Sequence, residues 1–322
     1  MNCKTVLTSF LCVAILQCGL ATAAQEPLPS WNNTKSKQTI LTFVKDVTDP
    51  NSVKFVPQSQ RIATFDNDGT LWAEQPIYAQ LLFAIERIYT LAPNHPEWQN
   101  TEPFATLLKG DVPGALTQSK TAVSDIVLAA NTGMDNETYK GIVTQWIDQA
   151  KHPITKRPYT EMVYQPMLEL ITYLQENGFK TYIVSGGGIE FIRAWSEAVY
   201  GIPPEHVIGS SMKRTYELQN NKMVIFRHPE MDFYNNNNNK VIAIDTHIGR
   251  RPIAAFGNSD GDLPMLEYVS KGDGARLSMI IHHTDEKREW AYDRKSEIGQ
   301  LDKGLDKAKE NNWHIVDIKK GW

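Results

Sequence analysis

Arg61-Ile62-Ala63-Thr64-Phe65-Asp66-Asn67-Asp68-Gly69-Thr70-Leu71-Trp72 is an apolar run that stops abruptly at two aspartates spaced i and i+2, with a glycine behind them. Residues 62–65 have the length and bulk of a strand buried on both faces, as in a parallel sheet covered by helices. The Asp-x-Asp-Gly-Thr that follows is then a loop at the carboxyl end of that strand. Open α/β sheets bind their ligands at that end.

Two later stretches repeat the arrangement. Residues 180–184 predict a strand that runs into Ser185-Gly186-Gly187-Gly188 and then a helix over 189–200. A helix amino terminus behind such a loop is a ready anion site. Residues 252–256 predict another buried strand, ending in Gly257-Asn258-Ser259-Asp260-Gly261-Asp262. Shorter strands are expected at 207–209, 278–281 and 314–319, and helices at 39–47, 168–176, 240–248, 263–269 and 302–312. The fold class is α/β: a Rossmann-like, three-layer parallel sheet core. Between the first two strands lie about ninety residues of mostly helical periodicity, at 77–91, 104–109, 119–130 and 137–149, punctuated by proline and glycine. They read as a helical cap inserted after the first strand.

This divides the chain into a core of residues 37–75 and 160–322 and a cap of 76–159. Residues 211–239 form a small hairpin insertion turning at Gln219-Asn220-Asn221-Lys222, since asparagine tolerates positive φ. Asn235 to Asn239 has no packing capacity and reads as a mobile loop, and residues 25–36 as a poorly ordered linker. Trp98, Tyr139 and Trp146 are assigned to helix packing. His282 and His283, at a strand end, are read as surface or supporting residues.

With 322 residues, 41% hydrophobic and 22% charged, the chain has ample apolar content for such a core. Its 33 basic and 37 acidic side chains leave a net charge of −4, which offers no basic field to a nucleic acid polymer. Lys4 precedes an apolar segment, residues 6–20, that ends in Ala21-Thr22-Ala23-Ala24, the layout of a cleaved secretory signal over residues 1–24. A lipid anchor at Cys18 ranks lower, because Gln17 is bulky for the position before a lipidated cysteine. Cys3, Cys12 and Cys18 all fall in this segment, so the mature chain carries no thiol. The protein is expected to be periplasmic or secreted, without stable membrane insertion after cleavage.

Four landmarks now stand in order: Asp66-x-Asp68-Gly69-Thr70, Ser185 after an apolar strand, Lys240, and Gly257-Asn258-x-x-x-Asp262. In this the chain resembles the haloacid dehalogenase-like phosphohydrolase superfamily, and Ser185-Gly186-Gly187 with its phenylalanine-containing helix is similar to the phosphoserine-phosphatase-like branch. The resemblance covers residues 58–75 and 163–270 and leaves the cap's substrate open.

A phosphate ester resists attack because its oxygens are anionic, so a carboxylate nucleophile needs cations around it. Asp66 is suited to attack phosphorus and form an aspartyl-phosphate. Asp68 is suited to protonate the leaving alcohol and later to deprotonate water, which requires a proton at the start. Ser185 and the Gly186 amide would hold phosphoryl oxygens, and Lys240 would neutralise Asp66 and the phosphoryl group, with Arg250, Arg251 and Lys222 as rivals. Mg²⁺ would take oxygens from Asp66, Asp68, Asn258 and Asp262. Asn258 departs from the family pattern, which favours aspartate there, so Asp260 or Asp262 is expected to compensate. Trp72 and Glu74 would face the cap as substrate contacts.

The expected function is therefore that of an exported Mg²⁺-dependent phosphomonoester hydrolase, acting on a small organic phosphate of phosphoserine, phosphocholine or nucleotide type. The alternatives are a phosphotransferase of the same fold and a non-catalytic envelope protein that binds a phosphorylated solute.

Overall fold

A computed structural model describes residues 26–322, with eight strands among them. The expected signal segment and its three cysteines lie outside the described residues. In chain order the strands are β1 (Ile62–Phe65), β2 (Met134–Asp135), β3 (Lys180–Gly188), β4 (Val207–Gln219), β5 (Lys222–Phe233), β6 (Ala254–Gly257), β7 (Leu277–His282) and β8 (His314–Asp317). They join in the order β2-β5-β4-β3-β1-β6-β7-β8. From β4 to β8 every neighbouring pair is parallel.

The quoted strand lies at the middle of this parallel set. Phe65 is in register with Ile183 of β3 on one side and with Phe256 of β6 on the other. The chain builds β3 and β4 to one side of β1, then crosses back to build β6, β7 and β8 on the other. That reversal is a topological switch point, where the carboxyl-end loops splay and leave a crevice.

Each sheet face buries its own apolar layer. Ala63, Phe65, Ile183 and Phe256 share a cluster with the helices Lys35–Thr48 and Gln165–Glu176. Val184, Ala255 and Ile280 share another with Asn238–Ile248, Leu263–Ser270 and Lys303–Glu310. The alternation along β3 and β6 sends successive residues to opposite layers, which is why these strands read as unbroken apolar runs. Among the described residues no helix is long and apolar enough to cross a membrane.

The inserted region has two parts. Helices Ala79–Leu91, Phe104–Leu108, Val112–Thr117 and Ala122–Asn131 close on a core of their own, with Ile88, Trp98, Phe104 and Ile126. Helix Asn136–Ile147 instead packs Tyr139, Val143 and Ile147 into the main core. The part with an independent core is thus narrower than residues 76–159. β2 ties it down by pairing with Phe226 and Arg227 of β5.

Three expectations need correction. The segment after residue 25 is not a loose linker. Leu28 and Trp31 are buried, the Trp31 indole donates to the Pro166 carbonyl at 2.8 Å, and the Asn32 amide donates to the Gly321 carbonyl at 2.9 Å. Two apolar anchors outweigh the surrounding polar composition. Residues 211–233 do form the expected hairpin, but it is not set apart from the core, because β4 runs unbroken from the parallel sheet into an antiparallel ribbon with β5. The ribbon does turn at Asn220-Asn221, with φ of 47° and 60°. The asparagine run is ordered: Asn235 is fully buried, and Asn238 opens the helix that carries Lys240.

Candidate active site

Beyond Phe65 the chain folds back at once. The Asn67 carbonyl accepts from the amides of Thr70 at 3.1 Å and Leu71 at 2.8 Å, and the Gly69 amide donates to the Trp72 carbonyl at 2.8 Å. Gly69 has φ of +75°, a region open to glycine and strained for most side chains. His283 is buried beneath the loop. Its Nε2 lies 2.7 Å from the Gly69 carbonyl, which can only accept, and its Nδ1 lies 2.7 Å from Glu289 Oε2. Of the two read as surface or supporting histidines, His283 is a support from below.

Lys240 joins two of the strand-end loops. Its Nζ donates to Asp66 Oδ1 at 2.6 Å, to Asp262 Oδ1 at 2.6 Å and to the Val184 carbonyl at 2.9 Å, with 2% of the residue exposed. The rivals are elsewhere: Arg250 and Arg251 line a separate pocket with Val53, Phe55 and Arg276.

Asp262, expected as a metal ligand, is not available for that part. Its Oδ1 is held by Lys240, and its Oδ2 accepts from the Asn258 amide, the Ser259 amide and the Ser259 hydroxyl. Four donors on one buried carboxylate make it the anchor of its loop and of Lys240. Asp260 accepts from the amides of Lys303 and Gly304, one on each carboxylate oxygen. Both acids expected to compensate for Asn258 are thus engaged in loop contacts.

β3 and β4 lose register between Val184 and Gly188, a bulge that re-aims the strand end. Ser185 is buried there, its hydroxyl accepting from the Gly187 amide at 3.0 Å, and both Ser185 and Gly186 line the cleft. Asn235 holds this stretch by donating to the Ser185 carbonyl at 2.9 Å, while its amide donates to Ser210 Oγ at 3.0 Å. A side chain that pairs with backbone in this way is how an asparagine run acquires a fixed conformation.

Trp72, expected to touch substrate, is 1% exposed and stacks on Trp195 at 4.4 Å between centroids. Its indole N–H donates to Asp68 Oδ1 at 2.7 Å. It positions Asp68 from behind, because the tight turn at Asn67 directs the ring inward. Glu74 does line the cleft, but its carboxylate is turned to the core loops: Oε1 accepts from Asn258 Nδ2 at 2.6 Å and from the Tyr292 hydroxyl at 2.8 Å. Asn258 Oδ1 in turn accepts from the Thr70 hydroxyl at 3.0 Å.

Four acids, Asp66, Asp68, Glu74 and Asp262, thus meet one ammonium. Burial, then Asp262, push the Asp66 carboxyl up to about 7 against the pull of Lys240. Burial raises Asp68 and carries Glu74 well above the carboxylate range. Burial pulls Lys240 down, but Asp262 and Asp66 outweigh it and the net shift is upward. Both partners rise because two carboxylates share one cation.

Such an excess of buried negative charge fits a divalent cation. Among the described residues no three His, Cys, Asp or Glu side chains converge closely enough to hold one alone. A cation held here would draw on amide and backbone oxygens as well. The set that fits is the Asp66 carboxylate, the Asp68 carbonyl and Asn258 Oδ1, whose second lone pair is free beside Thr70.

Over these loops lies a cleft of about 820 Å³, with Val123, Val127 and Lys120 on the cap side and Met212 and Met231 on the ribbon side. Sequence reasoning does not find Asn235 and assigns Trp72 to the substrate, because the contacts that fix them, Asn235 with Ser185 and Ser210 and the Trp72 indole with Asp68, are distant in sequence or masked by a turn. The indole four residues after Asp68 was the one signal within reach.

The model of the haloacid dehalogenase-like hydrolase family matches residues 63–267. No curated protein matches the chain. Among solved structures, a protein of unknown function from Bordetella pertussis Tohama I is similar over 80% of this chain and 99% of its own, with 12% identity and a TM-score of 0.50. A functionally unknown protein from Anaerococcus prevotii DSM 20548 is similar over 87% and 90%, with 16% identity and a TM-score of 0.48. A phosphoserine phosphohydrolase-like protein from Francisella tularensis subsp. tularensis SCHU S4 is similar over 69% and 87%, with 18% identity and a TM-score of 0.38. At these identities the likeness is one of fold.

Proposed function

Because the chain belongs to the haloacid dehalogenase-like hydrolase family, we propose that its site hydrolyses small phosphomonoesters through an aspartyl-phosphate on Asp66, with Mg²⁺ as the resident cation. One observation carries the reading. Lys240 occupies Asp66 Oδ1 and leaves Oδ2, which accepts no hydrogen bond from the described residues, as the oxygen available to the cleft.

In the first step Asp66 Oδ2 attacks phosphorus, and the bond from phosphorus to the ester oxygen breaks. Asp68, whose carboxyl burial pushes upward and so toward holding its proton, is the group suited to protonate the departing oxygen. In the second step Asp68, now a carboxylate, takes a proton from water as that water attacks phosphorus. Inorganic phosphate leaves and Asp66 is regenerated. Lys240 stays bound to Asp66 throughout, and Ser185 and the Gly186 amide are suited to hold phosphoryl oxygens. Mg²⁺, when bound by Asp66, the Asp68 carbonyl and Asn258, supplies positive charge against the phosphoryl oxygens.

The cleft's apolar and polar walls suit an organic phosphate of phosphoserine, phosphocholine or nucleotide size. The leader-like sequence supports export, to the periplasm or beyond. Hydrolysis of a phosphomonoester panel with Mg²⁺ and with chelator tests the reading, and activity that persists in chelator contradicts it. Asp68→Asn should lower kcat/KM, which reports the first step, more for alkyl esters than for aryl esters, whose leaving groups need no proton; an equal loss in kcat/KM would remove Asp68 from the acid role.

Trp72→Phe keeps an aromatic ring against Trp195 and deletes the donor to Asp68. Steady-state kinetics should show a loss of roughly tenfold in kcat on alkyl esters, and a smaller loss on aryl esters. The melting temperature should stay near the parent's.

A further inference from the structure

Asn258 brings an uncharged oxygen to the position from which the family pattern would offer a carboxylate, and the two acids nearest in sequence are engaged elsewhere. Asp262 is held by Lys240 and three loop donors, and Asp260 by the amides of Lys303 and Gly304. From this, resting on the Mg²⁺-dependent reading above, we infer that Glu74 supplies the missing negative charge: its carboxylate is the acidic partner of Asn258 in holding the cation.

The placement of Glu74 is specific. It is 2% exposed, and its Oε1 receives both Asn258 Nδ2 and the Tyr292 hydroxyl. Oε2 accepts no hydrogen bond from the described residues, and no described Lys, Arg or His forms an ion pair with Glu74. Two glycines make the slot. Gly69 and Gly299 have φ of +75° and +64°, and a Cβ on either would overlap the Glu74 carboxylate. Tyr292 is fixed in its turn by stacking on His283 at 4.4 Å between centroids, and His283 supports the Gly69 carbonyl. The nucleophile loop and the Glu74 slot therefore share one set of supports.

A buried carboxylate with one oxygen open and no cationic partner is costly unless a cation arrives. The contact from Asn258 Nδ2 also sets which way the amide faces. With its nitrogen on Glu74, its oxygen is turned to Thr70 and the nucleophile loop. An aspartate at 258 would instead meet Glu74 as a like charge. Asparagine at 258 and glutamate at 74 are thus a matched pair, one relocating the charge the other lacks.

The test measures Mg²⁺ binding by isothermal titration calorimetry on the purified protein, without substrate. Glu74→Gln keeps the shape and the acceptor while removing the charge. It should weaken Mg²⁺ affinity by about tenfold or more. In the double variant Glu74→Gln/Asn258→Asp the affinity should return to within about threefold of the parent, because the charge has been moved rather than lost. Should the single variant fail to fold, the double variant decides alone: parental affinity supports the inference and weak binding overturns it. Unchanged affinity in Glu74→Gln overturns it as well. A parent that binds no Mg²⁺ overturns instead the metal-dependent reading on which the inference rests.

Discussion

Asp66→Asn is expected to end phosphomonoester hydrolysis, lowering kcat by at least about four orders of magnitude, while the protein stays folded. The amide cannot form the acyl-phosphate, and Asp262, the other carboxylate on Lys240, is filled by four donors. The fold should survive because asparagine is isosteric and Lys240 keeps Asp262 at 2.6 Å. Asp66 is held up to about 7 in the folded chain, above its usual carboxylate range. A raised carboxyl binds more protons folded than unfolded, so its ionisation lowers stability as pH rises from about 4 through 7. The variant lacks that loss. In chelator at neutral pH it should melt at or above the parent's temperature, and pre-steady-state kinetics with excess aryl phosphate and Mg²⁺ should show no burst of phenol. A variant that keeps more than about one per cent of parental turnover would move the nucleophile elsewhere.

Lys240→Met is expected to cost stability as well as activity. It strips a donor from Asp66 Oδ1, Asp262 Oδ1 and the Val184 carbonyl together, all in the interior. Leaving a buried charge without its partner costs about 3–5 kcal/mol. Urea unfolding should report a loss of that order at pH 7.5. The pH dependence separates this from a simple packing defect. The Lys240 ammonium is shifted upward in the folded protein, so its contribution is fully present below its unfolded value near 10.4 and fades only in stronger alkali. In the variant Asp66, without the ammonium that pulls it down, protonates more readily, so the gap to the parent should narrow as pH falls from 7.5 toward 5. A gap independent of pH would mean that Lys240 acts by volume alone.

The parts of the molecule legible in the sequence are those written within a few consecutive residues. Phe65 followed by Asp66, Val184 by Ser185, and Phe256 by Gly257-Asn258 each mark a buried strand that ends in a polar loop. Parallel strands must bring such loops to one edge. The α/β core follows from the same signals. What was not legible depends on contacts between distant segments. Trp31 could not announce that the Pro166 carbonyl awaited its indole, so its surroundings read as linker. Asn235 reads as solvated until Ser185 and Ser210 are seen beside it. Asp262 has the right chemistry for a metal ligand, and only the three-dimensional position of Lys240 and of the Asn258 and Ser259 amides assigns it to anchoring. Glu74 is legible as a cleft residue, but nothing local reveals that Gly299 and Tyr292 wall it in from more than two hundred residues away.

The central claim, that Asp66 carries the phosphoryl group, is tested most directly by trapping the intermediate. In Asp68→Asn the base for the second step is gone, while an aryl phosphate still reacts in the first because its leaving group needs no proton. A radiolabelled aryl phosphate, acid quench and peptide mapping should place the label on the peptide that contains Asp66, approaching one phosphoryl group per chain, and Asp66→Asn should abolish it. Turnover without label on that peptide, or label on any other residue, would contradict the account.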